Sequence, residues 1–107
     1  MQPNLNFKET LKNQVNSILP GARVLLFGSR SRGDHKKGSD VDILVITQEE
    51  HTPKQKMNLE SAINKVLVKT YHLPFDVLVY GETEIMKKRN EKSLVVYHAM
   101  AEGLELA

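Results

Sequence analysis

A chain of 107 residues with 40% hydrophobic and 26% charged residues holds enough apolar material for one compact core and little beyond it. Its net charge of +2 is too small to argue for nucleic acid or a membrane surface. The absence of cysteine excludes a disulfide scaffold, Cys-ligated zinc and thiol catalysis. The polar start, MQPNLNFKETLKNQ, lacks the apolar core of a secretory leader, and no apolar stretch approaches the ~18–20 residues of a membrane span. A single domain over residues 1–107 and a cytoplasmic location are the expectations.

Residues 5–19 read as a helix, because Phe7, Leu11, Val15, Ile18 and Leu19 recur at helical spacing. Pro20-Gly21 ends it. RVLLF at 23–27 makes a short strand. Gly28-Ser29 follows, then a short helix from near Ser29 and a loop through Gly38. DVDILVIT at 40–47 makes a second strand. Residues 53–70 form the next helix, with Pro53 in its first turn. Its apolar face is Leu59, Ala62, Ile63, Val66, Leu67 and Thr70. FDVLVY at 75–80 is a third strand. Thr83 is the expected N-cap of a helix over 84–90. A last helix covers 92–102, with Gly103 as its stop. The short, β-branched, nearly continuous apolar strands suit an α/β (α+β) architecture: a mixed three-stranded sheet flanked by helices.

The chemistry concentrates in 28–42, GSRSRGDHKKGSDVD. Side chains at i and i+2 of a strand share a face, so Asp40 and Asp42 project together, with Cβ atoms roughly 6–7 Å apart. Two such carboxylates repel, and burying them unpaired is costly. A divalent cation relieves both costs. Mg²⁺ takes oxygen donors, typically one or two carboxylates plus substrate phosphates. Two such ions can clamp the attacking and leaving oxygens of an in-line displacement at phosphorus. Asp76, at the start of the third strand, joins this site if that strand lies beside the second. It would serve as metal ligand, proton acceptor or both. Gly28 and Ser29 fall where a strand turns into a helix, a place suited to anions because N–H groups point outward. Arg30 and Arg32 follow at once and suit phosphate oxygens. The run lacks the Lys-Ser/Thr of a Walker A loop, and no G-x-G-x-x-G occurs.

Gly28-Ser29, ten residues, then Asp40-x-Asp42 resembles the signature of the polymerase beta-type nucleotidyltransferases. The whole chain resembles the minimal members of that superfamily, the MNT proteins. The Ser31-Arg32-Gly33-Asp34 stretch and the closing AEGLEL also resemble that group, with Ser31 where Ala is usual. The resemblance implies a polymerase beta-like fold and Mg²⁺-dependent transfer of a nucleoside monophosphate from a triphosphate, ATP by resemblance, to a hydroxyl. Gly28 and Ser29 would hold the β- and γ-phosphates, Asp40 and Asp42 the metals, two ions in all, and Asp76 the third carboxylate role. It also implies a HEPN-domain toxin as partner, adenylylated on a tyrosine by this chain as antitoxin. Roughly 100 residues leave little room for a second pocket, so another chain would supply the acceptor surface.

Two other functions fit the same sequence. One is an antitoxin that neutralises its partner by binding alone. The other is a nucleotidyltransferase acting on a small hydroxylated molecule such as an antibiotic. Direct nucleic-acid binding ranks last, since basic and aromatic residues do not interleave. His35, His51, His72 and His98 show no ligand spacing. Lys87-Lys88-Arg89 reads as a solvated helix face. Leu94, Val95, Met100, Leu104 and Leu106 read as core or as a docking patch.

Overall fold

The structure is a computed structural model that describes residues 5–27, 40–88, 91 and 95–106. Helix α1 (Leu5–Ile18) is followed by strands β1 (Arg23–Phe27) and β2 (Val41–Thr47). Helix α2 (Pro53–Tyr71) then leads into β3 (Phe75–Gly81). Helices α3 (Glu82–Lys88) and α4 (Val95–Glu102) precede a short strand β4 (Leu104–Leu106). The strands form one mixed sheet in the order β3-β2-β1-β4. β1 is antiparallel to both β2 and β4, whereas β2 and β3 run parallel, joined through α2.

Strand alternation sorts the side chains into two cores. One face carries Val24, Leu26, Val41, Ile43, Val45, Val77 and Val79, and packs against Leu11 and Val15 of α1 and Ile63 and Leu67 of α2. The opposite face carries Leu25, Phe27, Leu44 and Ile46, covered by Ile85 of α3 and Ala99 of α4. A sheet covered on both faces needs strands without polar alternation, which is why the strands read as unbroken apolar runs.

Local chemistry sets the helix ends. α1 stops where Gly21 takes φ +79°, and Asn16 ties the turn by accepting the Gly21 N–H at 3.1 Å and donating to the Ala22 carbonyl at 3.3 Å. α2 starts with a reciprocal box. Gln55 N–H donates to the Thr52 hydroxyl at 3.2 Å, and Thr52 N–H donates to the Gln55 side chain at 2.9 Å. It ends at His72, held at φ 55°, whose N–H donates to the Val68 carbonyl at 2.8 Å. At Gly81 an added β-carbon would collide with the Glu50 carboxylate, which itself accepts the Thr83 N–H at 3.3 Å.

Four features differ from the sequence expectation. The sheet gains a fourth strand, β4, whose Leu106 is buried in the α1/α2 core and whose Glu105 forms a two-pronged pair with Arg23 at 2.9 and 2.7 Å. α3 begins at Glu82, so Thr83 lies inside the helix rather than capping it. The buried stripe of α2 runs through Leu59, Ile63, Leu67 and Tyr71. Ala62, Val66 and Thr70 face solvent. Lys88, read as part of a solvated face, stands 5.6 Å over the Tyr80 ring. Arg89, Leu94, the Val95 side chain and the expected helix from Ser29 fall outside the described residues.

Candidate active site

The parallel register pairs Asp42 with Asp76. Each is the second residue of its strand, and the strands share a direction, so both carboxylates stand at one end of the sheet. Partners in a ladder point to the same face. That face is the one covered farther along by α3 and α4, where Leu44 and Ile46 continue the row of Asp42, and Leu78 and Tyr80 that of Asp76. Along both strands the row thus changes from carboxylate to hydrophobe within two residues. Phe27, the last residue of β1, is the partner of Asp42 on its other side. Asp42 is therefore flanked by an aromatic residue on one strand and a second acid on the other.

Electrostatics follow from that placement. Burial pushes the Asp42 carboxyl above its ordinary value, and the negative charges of Asp76 and Asp40 push it further in the same direction. Asp42 is half-buried, whereas Asp40 and Asp76 are exposed. Asp40 lies one residue ahead of β2 rather than within it. The three acids thus form one interacting group. Among the described residues no three His, Cys, Asp or Glu side chains are gathered closely enough to hold a metal ion. The donor chemistry at this end is nevertheless oxygen only, and its anionic crowding is what a hard divalent cation relieves.

Gly28, Ser29, Arg30 and Arg32 lie outside the described residues. The residue that Gly28 follows is the cross-strand neighbour of Asp42. Cavities of about 260 and 380 Å³ open at the other end of the strands, beside Thr47 and Tyr80 respectively, and none of the three acids lines them. The repelling carboxylates are at the opposite end of the strands.

Two side chains that the sequence does not mark lie along the outer edge of β3. Asn64 donates its side-chain amide to the Phe75 carbonyl at 2.7 Å, and Glu60 accepts the Val79 N–H at 2.9 Å. Both belong to α2, four residues apart on one flank. That spacing is the one signal in the sequence that could have set them apart from ordinary surface residues.

A family model for the nucleotidyltransferase domain matches residues 8–98. A protein of Methanocaldococcus jannaschii, named as a protein adenylyltransferase, is 31% identical over 97 residues, covering 89% of this chain and 90% of that one. The crystal structure of the toxin–antitoxin pair MntA–HpeT, bearing two Asp-to-Glu substitutions, aligns with a TM-score of 0.69 at 14% identity over 94% of this chain and 71% of that chain. A structure of the tri-AMPylated Shewanella oneidensis HEPN toxin in complex with MNT antitoxin aligns at 0.57 and 16% identity, over 94% and 68%. At those identities the two structural matches speak to the fold.

Proposed function

Because the chain belongs to the nucleotidyltransferase domain family, we propose that it is a Mg²⁺-dependent transferase moving AMP from ATP to a hydroxyl of a partner HEPN toxin, a tyrosine in this reading, and so acts as its antitoxin. The observation that carries the reaction class is the pairing of Asp42 with Asp76 at one sheet end, with Asp40 close enough for its charge to be felt. The name of the M. jannaschii relative supports protein as acceptor, and the two toxin–antitoxin complexes of like fold support the partner.

In this reading Asp40, Asp42 and Asp76 would contribute carboxylate oxygens to Mg²⁺, with substrate phosphates supplying the rest of its donors. When bound, the ion supplies charge neutralisation and Lewis acidity at the phosphates. Gly28 and Ser29 hold the β- and γ-phosphates, with Arg30 and Arg32 reaching phosphate oxygens. The acceptor oxygen attacks the α-phosphorus in line, the bond from that phosphorus to the β-phosphate oxygen breaks, and pyrophosphate leaves. A tyrosine hydroxyl has a pKa near ~10, so its proton must be taken as the bond forms. In this reading Asp76 receives it. It is the exposed member of the pair, on the edge strand, where an acceptor carried by another chain can approach. Asp42, inward and half-buried, is the anchoring carboxylate.

The test is label transfer from ATP carrying the label at its α-phosphate, with Mg²⁺ and the cognate HEPN protein, against γ-labelled ATP and an Asp40→Asn/Asp42→Asn variant. Label from the α-position alone, lost in the variant, is the expected result. Neutralisation of the toxin by the variant, with no label in either protein, would replace this reading with neutralisation by binding alone.

A further inference from the structure

Resting on the role given above to Asp76, we propose that Asn64 is a positioning residue for the transfer reaction, because its side-chain amide fixes the strand edge that carries that carboxylate. β3 ends the sheet on one side among the described residues. In a parallel ladder, successive residues turn their backbone groups to opposite sides. Val41 N–H donates to the Pro74 carbonyl at 2.9 Å, and the Val41–Phe75 register puts the Asp76 N–H on the β2 side as well. The Phe75 carbonyl must then point outward, and Asn64 meets it at 2.7 Å. The peptide unit that enters Asp76 is thus held at both ends, its N–H by β2 and its carbonyl by α2.

Ile63 beside Asn64 and Leu67 one turn on are wholly buried, so the helix that presents the amide is anchored in the core. Water can replace the amide on a strand edge, so its loss leaves the fold in place. What is lost is the fixed position of Asp76. Placement matters steeply in such reactions, with a misplacement of about 1 Å costing on the order of 100-fold in rate. Glu60 provides an internal comparison. It bonds the same edge at Val79, three residues past Asp76 and away from the acids.

The experiment compares Asn64→Ala, Asn64→Gln and Glu60→Ala with the unaltered chain. It uses steady-state AMP transfer and, separately, amide hydrogen exchange of the free protein. Asn64→Ala is expected to lower kcat at least tenfold while KM for ATP moves less than threefold. Asn64→Gln, which keeps the amide, recovers most of that loss, and Glu60→Ala stays within twofold. In Asn64→Ala, exchange accelerates at Asp76 and its strand neighbours while the β1 amides keep their protection. Transfer within twofold of the unaltered chain in Asn64→Ala would overturn the proposal, as would unchanged exchange at Asp76. If the unaltered chain transfers nothing, the reaction proposed above fails by itself. The exchange pattern then still decides whether Asn64 positions Asp76.

Discussion

Asp42→Asn should make the free protein more stable while abolishing transfer. In the absence of divalent cation the carboxylate of Asp42 is raised by burial and by two neighbouring acids. With carboxylates about 6 Å apart, Coulomb's law gives between ~0.7 kcal/mol at the dielectric of water and ~2.8 kcal/mol at an effective value near 20. Asp40 and Asp76 are open to solvent, so the screened end of that range applies, about 1 kcal/mol. For a chain of this length that is a rise of about 4 °C in Tm. The sign has a pH signature. A carboxyl whose folded pKa lies above its unfolded one loses stability for the fold as pH rises. The gain from Asp42→Asn is therefore largest near neutrality and shrinks as pH falls into the range where Asp42 takes up a proton by itself. Thermal unfolding followed by circular dichroism in EDTA, from pH 4 to 7.5, reads this directly. An equal or lower Tm for the variant at pH 7 would show that the three acids do not repel one another in the folded chain. A cation at this end would then have no repulsion to relieve.

Thr52→Ala removes the hydroxyl that accepts the Gln55 N–H and opens the capping box of α2. Urea titration should show a loss of about 1 kcal/mol with an unchanged m-value. Leu67→Ala empties a wholly buried position between α2 and the sheet, and the same titration should show a loss of about 2–5 kcal/mol. Burial pushes the Glu84 carboxyl up, but hydrogen bonds from Lys56 and the Gly81 N–H, with the charges of Lys56 and Lys88, outweigh it and hold the group below 4.5. Its contribution is therefore complete above pH 4.5 and lost as pH falls through the lower folded value. Glu84→Gln should flatten the acid limb of a urea-midpoint profile below pH 4.5. An unchanged acid limb would count against the Lys56–Glu84 pair at 2.9 Å.

Elements whose signal is a long period were legible in the sequence. α1 and α2 begin and end within a residue or so of where spacing, Pro20 and Pro53 put them, and the three apolar runs became β1, β2 and β3. The second and third strands do lie side by side, which the sequence held only as a condition for Asp76 joining the site. β4 was not legible, since three residues are too few for alternation to show. What identifies it is Leu106 entering the core and Arg23 holding Glu105, both contacts across some eighty residues. The roles of Glu60 and Asn64 on the flank of α2 were not legible for a related reason. A polar side chain that faces a strand edge, and one that faces water, look alike until the strand is in place. The partial burial of Asp42 was legible from its apolar strand, but its ladder partners, Phe27 and Asp76, were not.

The outer margin of β3 has a further effect on how this chain meets other proteins. An open strand edge is a template on which another chain can build. Here the Phe75 carbonyl, the Val79 N–H and the Gly81 N–H are engaged by side chains of Asn64, Glu60 and Glu84. An incoming strand would have to evict all three before it formed its own ladder. Those three bonds disfavour extension of the sheet on the side nearest Asp76. An engaged edge works against two chains fusing into a common sheet, whichever surface brings them together.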